Sequence, residues 1–176
     1  MSTVRWPIET TTDSPEATRA LAGRLARLCR AGDVVLLVGE LGAGKTVFAQ
    51  GFAVALGVPG PVTSPTFALV RHYRCAAGSP VTSLIHADLY RTGSAREVAD
   101  LALAELVEED AVALVEWGDL AVPALGESAL EVTLVVPDVA GSPSRRAVTI
   151  AGRGRWEARA DEVAAALEAV PEGRAS

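Results

Sequence analysis

The chain has 176 residues, a formal net charge of −6 and a hydrophobic fraction of 49%. This length and composition are typical of a globular protein that buries a sizeable core. The acidic balance argues against a protein that binds DNA or RNA by itself, because such proteins use excess Lys and Arg to displace counterions from phosphates. Since no apolar run is long enough to span a membrane and no apolar signal segment follows the first residues, we expect a cytoplasmic protein without membrane contact. The two cysteines lack metal-like spacing and are expected to be reduced.

The first elements lead into a buried strand. An edge strand is predicted over residues 4–10, where Pro7 cannot donate to the ladder of an interior strand. Ser, Pro and Glu at 14–16 are typical of a helix start, and apolar residues follow at helical spacing up to residue 28. Residues 33–38 are β-branched or aliphatic after an initial aspartate, which indicates a strand buried on both faces.

The next eight residues, 39–46, read Gly-Glu-Leu-Gly-Ala-Gly-Lys-Thr and match the phosphate-loop pattern G-x-x-x-x-G-K-[ST] without a mismatch. Its glycines permit positive φ and carry no Cβ, so backbone N–H groups can converge on phosphate oxygens at the positive end of the following helix. Lys45, the only lysine in the chain, would place its charge against the β- and γ-phosphates, and the Thr46 hydroxyl would hold Mg²⁺. The pattern predicts a nucleotide-binding loop made of Glu40, Leu41, Gly42, Ala43, Gly44, Lys45 and Thr46.

The rest of the chain alternates predicted strands and helices. Three prolines and a glycine within residues 58–67 predict a long loop, ordered or switching. The further elements are a strand hairpin over 67–73 and 81–87, a helix over 97–109, a buried strand over 111–115, a late strand pair over 130–136 and 147–150, and a closing helix over 158–170. We therefore predict one α/β domain over 1–176 with a C-terminal strand and helix at 146–170. Its expected architecture is a P-loop NTPase-like three-layer sandwich around a mixed, largely parallel central sheet.

Two carboxylates follow predicted strands and are candidates to complete a nucleotide site. A phosphate loop needs an acidic residue at the end of a neighbouring strand, because Mg²⁺ takes carboxylate or water oxygens. Glu116 ends the apolar strand before it, and Asp88 follows the second strand of the hairpin. We predict Glu116 as the Mg²⁺ carboxylate and Asp88 as the group that polarises the attacking water. The reverse allocation stays open, as does the interpretation of Asp88 as a helix cap.

Three further polar residues near these motifs are interpreted more simply. Thr66, in the loop sequence Ser-Pro-Thr-Phe, is a candidate switch threonine that would reach the γ-phosphate or its metal. Asp119 is interpreted as a solvated cap. His86, near a strand end, is interpreted as a hydrogen-bonded structural residue and not as a catalytic one.

Four sequence blocks, in this order and at these separations, resemble the TsaE (YjeE) family, small bacterial P-loop ATPases of tRNA threonylcarbamoyladenosine biosynthesis. The blocks are the phosphate loop at 39–46, Thr-Ser-Pro-Thr-Phe at 63–67, His-Ala-Asp-Leu-Tyr-Arg at 86–91 and Glu-Trp at 116–117. The likeness covers roughly residues 14–136. The segment 152–176 is the least family-like and is interpreted as packing.

The resemblance implies a Mg²⁺-dependent ATPase that acts on a complex of the TsaB and TsaD proteins and meets tRNA only indirectly. That complex installs the threonylcarbamoyl group on adenosine 37 of tRNAs that read codons beginning with A. On this chain the resemblance implies that Thr46 and Glu116 are the Mg²⁺ ligands and that Trp117 lies by the nucleotide or the partner surface. The implied catalytic residues are Asp88, Lys45 and Thr66.

Other nucleotide-binding classes fit less well. A GTPase of the usual kind reads guanine with Asn-Lys-x-Asp, and this chain contains no Asn. A nucleoside kinase would use an arginine-rich lid, for which only Arg91 and Arg96 are central candidates. A nucleotide-gated adaptor, in which ATP orders the 58–67 loop for a partner and hydrolysis is incidental, shares every motif and stays open.

Overall fold

The computed structural model describes residues 4–65, 69–90, 96–97, 103–107, 110–117, 128–138 and 140–169. The elements within these ranges are, in chain order, β1 (Ile8–Thr12), α1 (Pro15–Leu28), β2 (Val34–Val38), α2 (Lys45–Ala55), β3 (Val70–Arg74), β4 (Ser83–Asp88), α3 (Leu103–Val107), β5 (Ala111–Glu116), β6 (Ala129–Val135), β7 (Arg146–Arg153), a 3₁₀ helix (Gly154–Arg159) and α4 (Ala160–Glu168).

The strands form one seven-stranded sheet in the order β1-β7-β6-β2-β5-β4-β3. The central strands β6, β2, β5 and β4 are parallel to one another. At one edge β3 pairs antiparallel with β4, and at the other β7 pairs antiparallel with both β6 and β1. The strand that precedes the phosphate loop therefore lies inside the parallel part, with β5 on one side and β6 on the other. This mixed sheet confirms the predicted fold class.

Helices lie on both faces of the sheet, which makes the three layers. Along β2, Val35 and Leu37 pack with α1 and α2 on one face, and Val34 and Leu36 pack with α3 on the other. All four side chains are buried, so the continuous apolar run in the sequence reflects burial on both faces. No helix within the described ranges is long and apolar enough to cross a membrane.

The N-terminal elements agree with the prediction in kind and differ in one boundary. The Ser14 hydroxyl accepts a hydrogen bond from the backbone N–H of Ala17 at 3.1 Å, and Pro15 begins α1, as the helix-start pattern predicts. The edge strand lies at 8–12, so the predicted range 4–10 was wrong at both ends. Its register is set by pairing with β7, which no local pattern specifies.

The later elements follow the prediction with shifted ends. The hairpin is β3 with β4, and the late strand pair is β6 with β7, where β7 is longer than predicted. Of the predicted helix over 97–109, the described part includes α3, and the remainder lies largely outside the described residues. The closing helix is preceded by the 3₁₀ turn, whose Trp156 is fully buried. Both cysteines, Cys29 and Cys75, are free and buried.

Candidate functional site

The parallel strands bring the two predicted carboxylates to the phosphate loop. Strand β5 pairs with β2 so that Glu116 lies opposite Leu37, at the end of the strand that enters the loop. One strand further, Asp88 at the end of β4 lies opposite Glu116. Both acids therefore reach the crevice at the carboxyl ends of the strands, where open α/β sheets bind ligands.

The phosphate loop has the backbone conformation that its glycines predict. Gly42 and Gly44 have φ of 80° and 106°, in the left-handed region that residues with a Cβ adopt rarely. Gly44 is also the N-cap of α2, and no side chain caps this helix. The first i→i−4 hydrogen bond of α2 joins the N–H of Phe48 to the carbonyl of Gly44 at 2.9 Å. The N–H groups of the earlier residues in the first turn therefore have no i−4 carbonyl within the helix to bond. These donors at a positive helix end form a site for an anion.

Lys45 lies inside the crevice and is only 6% exposed. Its Nζ donates hydrogen bonds to the carbonyls of Gly39 at 2.6 Å and Glu40 at 2.8 Å. The same ammonium lies 4.2 Å from the ring centroid of Trp117. Burial lowers the pKa of Lys45 from its usual value, and the negative charges of Glu116 and Asp88 oppose this effect. The loop thus holds one buried cation on its own carbonyls, in a crevice that both strand-end acids also line.

Each acid is held by a different neighbour. The carboxylate of Asp88 accepts a hydrogen bond from the Ser64 hydroxyl at 2.8 Å and another from the backbone N–H of Tyr90 at 3.0 Å. Glu116 is paired with His86, whose Nε2 lies 2.9 Å from Oε1 of the acid. His86 and Glu116 are 0% and 3% exposed, so this pair is shielded from water. His86 is hydrogen-bonded, as the sequence indicates, and its partner is one of the two candidate metal carboxylates.

Trp117 has an unusual backbone conformation for a bulky residue, with φ of 61°. Such a conformation is costly without compensating contacts. The backbone N–H of Trp117 donates to the carbonyl of Leu37 at 2.9 Å, and its ring lies 4.9 Å from the ring of Tyr90, centroid to centroid. These contacts place the indole as a wall of the crevice beside Lys45.

The crevice has a volume of about 500 Å³, within the range of small-molecule sites. Most predicted site residues line it, namely Leu41, Gly42, Gly44, Lys45, Thr46, Asp88, Glu116 and Trp117. The predicted loop residues Glu40 and Ala43 instead line a smaller cavity on the β6 side of the loop. Thr66 lies outside the described residues, as does Asp119.

Among the crevice-lining residues that were not predicted as site residues, three carry polar side chains: Ser64, Tyr90 and Arg146. Ser64 and Tyr90 lie in the sequence blocks 63–67 and 86–91, so their closeness in sequence to Thr66 and Asp88 was the available signal. Arg146 has no such signal, because it begins a strand about a hundred residues beyond the loop and only the sheet order brings it there.

Glu116 and Asp88 suit a metal ion that takes most of its ligands from a bound triphosphate and from water. Within the described ranges, no three His, Cys, Asp or Glu side chains form a cluster that could hold a metal ion by themselves. Thr46 and Glu116, or Thr46 and Asp88, could supply one or two oxygens to a cation that a triphosphate and water would complete. This is the usual coordination of Mg²⁺ at nucleotide sites.

The comparisons with known proteins agree on one family. The family model described as "Threonylcarbamoyl adenosine biosynthesis protein TsaE" matches residues 12–146. A tRNA threonylcarbamoyladenosine biosynthesis protein TsaE from Streptomyces coelicolor is 45% identical over 147 residues, which are 81% of this chain and 95% of the relative. The TsaE protein of Bacillus subtilis is 37% identical over 152 residues, 86% of this chain and 90% of the relative.

The fold comparison points the same way. The crystal structure of Bacillus subtilis YdiB superposes on this chain with a TM-score of 0.70 and 29% identity, covering 95% of this chain and 97% of that one. The matched family model spans β1's last residue through the first residue of β7, and therefore includes the phosphate loop and both acids. The chain belongs to the TsaE family of threonylcarbamoyl adenosine biosynthesis proteins.

Proposed function

We propose that this protein is a Mg²⁺-dependent ATPase that acts on the TsaB–TsaD complex during threonylcarbamoyl modification of adenosine 37 in tRNAs reading codons that begin with A. The observation that carries the proposal is the buried ammonium of Lys45, which lies in a phosphate loop and lines the same crevice as the carboxylates of Glu116 and Asp88. A buried cation that interacts with two acids across a crevice suits a ligand with several negative charges and a metal.

The loop and Lys45 would bind the phosphates of ATP. Backbone N–H groups at the start of α2 would donate to phosphate oxygens, and Lys45 would exchange its bonds to the carbonyls of Gly39 and Glu40 for bonds to phosphate. Trp117 would lie against the nucleotide or the partner surface. The direct partner of this protein would be protein and not tRNA, in keeping with its net charge of −6.

Thr46 and Glu116 would hold the metal. Mg²⁺, when bound, neutralises charge on the phosphate oxygens. Glu116 ends the strand next to the loop strand, and its bond to His86 fixes the direction of the carboxylate. Asp88, one strand further and held by Ser64, would polarise the attacking water together with Thr66.

The two acids can be separated by amide substitutions. We expect Asp88→Asn to bind nucleotide with unchanged Mg²⁺ dependence but to hydrolyse ATP at least about 100-fold more slowly, because the base that orients water is lost. Glu116→Gln is expected to raise the half-saturating Mg²⁺ concentration at least about tenfold. Magnesium titrations of ATP binding and turnover measure both effects, and Glu9→Gln, an exposed carboxylate on β1, is the control. The opposite pattern would assign the metal to Asp88.

A second candidate function, the nucleotide-gated adaptor, is favoured by one contact. The hydrogen bond from Ser64 to Asp88 links the loop that follows α2 to the crevice. A ligand that contacts Asp88 would therefore also affect the conformation of that loop. ATPase rates with and without the TsaB–TsaD complex, paired with a tRNA modification assay, separate the two. Stimulated hydrolysis coupled to repeated modification supports the ATPase function. Modification supported fully by a non-hydrolysable ATP analogue would support the adaptor.

Trp117 should report nucleotide binding by its fluorescence. Phosphates would draw the Lys45 ammonium away from its present position 4.2 Å from the indole centroid, and we expect this loss of a nearby charge to change the emission of Trp117. We expect ADP or ATP with Mg²⁺ to change tryptophan emission in the wild type and in Trp6→Phe, and to leave Trp117→Phe without response. A full response in Trp117→Phe would contradict this position of the nucleotide.

A further inference from the structure

Arg146, the first residue of β7, is joined to the phosphate loop by its guanidinium. Nε donates to the carbonyl of Ala43 at 2.9 Å, and Nη2 approaches the carbonyl of Gly42 at 3.4 Å. On its other side, Nη1 donates to the carbonyls of Pro143 at 2.9 Å and Arg145 at 2.8 Å. Four of the five guanidinium donors are thereby directed at backbone carbonyls. The side chain connects the loop to the turn before β7.

These bonds determine the orientation of two loop peptides. In a trans peptide the C=O and the N–H point in opposite directions. With the carbonyl of Ala43 held toward Arg146, the N–H of Gly44 must point away from the guanidinium. The adjacent peptide, between Gly42 and Ala43, has the same arrangement. Its carbonyl faces Arg146, and its N–H donates to the carbonyl of Glu40 at 3.0 Å.

The loop needs such an external constraint. Gly42 and Gly44 both have positive φ, and glycine peptides have many accessible conformations when nothing fixes them. The guanidinium is close enough to act as a support, since a Cβ added at Gly44 would lie 3.8 Å from Nε of Arg146. An arginine fits this role because its planar fork can bond several carbonyls at once, which a lysine ammonium does with less geometric restraint.

We propose that Arg146 is a positioning residue of the phosphate loop, which orients the Gly44 N–H for a phosphate by holding the carbonyls of Gly42 and Ala43. The ligand in this inference rests on the proposed function. Because most of its donors are occupied, Arg146 acts through the loop and not as the main phosphate contact. It also makes the turn before β7, far away in sequence, part of the nucleotide site.

The test compares Arg146→Gln and Arg146→Lys with the control Arg145→Gln. Arg145 is the adjacent residue, and its ion pair with Asp13 at 3.5 Å lies away from the loop, with both side chains well exposed. Circular dichroism and thermal unfolding first establish that each variant is folded. Hydrogen exchange of the amides at 42–45 in the nucleotide-free protein, and titration with ADP and with inorganic pyrophosphate, are then measured.

We expect about tenfold faster exchange at 42–45 in Arg146→Gln, together with about tenfold weaker binding of ADP and of pyrophosphate, since loop order and anion binding share the same peptides. Arg146→Lys should fall between Arg146→Gln and the wild type, because it keeps the charge without the fork. In ATP turnover, Arg146→Gln should raise KM and change kcat less than about twofold. This is the result expected when an interaction contributes equally to binding of the substrate and of the transition state.

Two outcomes would overturn the inference. One is unchanged exchange and unchanged ADP affinity in a folded Arg146→Gln variant. The other is full wild-type behaviour of Arg146→Lys, which would reduce the role to charge alone. Failure of the proposed function would give a different result. If the wild-type protein bound no adenine nucleotide, the hydrogen-exchange comparison between Arg146→Gln and Arg145→Gln would still decide whether Arg146 positions the loop.

Discussion

Lys45→Ala is expected to abolish ATP turnover, with a loss of at least about a thousandfold. A unit charge about 4 Å from a phosphate contributes about 4 kcal/mol at an effective dielectric of about 20, which corresponds to about three powers of ten in rate if it acts in the transition state. Lys45 is buried in the loop, and the chain contains no second lysine that could replace it. The measurement is phosphate release at saturating Mg²⁺ and ATP, with Arg27→Ala, an exposed residue of α1, as control.

The stability of the same variant separates a functional lysine from a structural one. Burial lowers the pKa of Lys45, so between the lowered value and the usual 10.5 the unfolded chain binds more protons than the folded one. The wild type should therefore gain stability as pH rises toward 10.5, relative to Lys45→Ala. At neutral pH we expect the variant to be no less stable than the wild type. Wild-type turnover in a folded Lys45→Ala protein would contradict the assigned site.

Arg159→Met is expected to destabilise the protein by about 3 kcal/mol, because it leaves a buried carboxylate without its main cation. Nη1 of Arg159 lies 3.1 Å from Oδ2 of Asp33, with side chains 8% and 1% exposed. The same guanidinium donates to the carbonyl of Leu28 and lies 3.9 Å from the ring centroid of Trp156. The expected loss is at the lower end of the range for buried pairs, since the backbone N–H of Arg30 still donates to Asp33.

The control for this prediction is a partly exposed pair of similar length. Arg153 lies 2.9 Å from Glu131, with side chains 43% and 34% exposed, and Arg153→Met should cost no more than about 1 kcal/mol. Urea unfolding of both variants measures the difference. Equal losses of unfolding free energy in Arg159→Met and Arg153→Met would show that the Asp33–Arg159 pair does not hold the C-terminal segment against the start of β2. A large loss only for Arg159→Met would make this segment part of the stable fold.

Local signals were sufficient for the elements whose neighbours in sequence determine them. The phosphate loop, the helix start at Ser14 and the buried strand β5 each follow from residues a few positions apart, through backbone freedom, capping and burial on both faces. The placement of Glu116 and Asp88 in one crevice also followed, because parallel strands end on the same edge. Thr66 remains a prediction, since it lies outside the described residues.

Contacts between distant segments were not predictable from local patterns. Arg146 reaches the loop only because β7 runs antiparallel beside β6, and the pairing of Asp33 with Arg159 joins residues at opposite ends of the chain. The shift of β1 to 8–12 has the same origin, since its register is set by β7. The positive φ of Trp117 has no sequence signal at all, because a tryptophan is not expected there and only its contacts make that conformation tolerable.

Isothermal titration of the folded protein with ADP and ATP in the presence of Mg²⁺ tests the central claim most directly, namely that the crevice at Lys45 holds an adenine nucleotide. We predict saturable binding with one site per chain, which is lost or greatly weakened in Lys45→Ala and preserved in Arg27→Ala. Absence of any binding heat in the wild type, both alone and with the TsaB–TsaD complex, would contradict the claim.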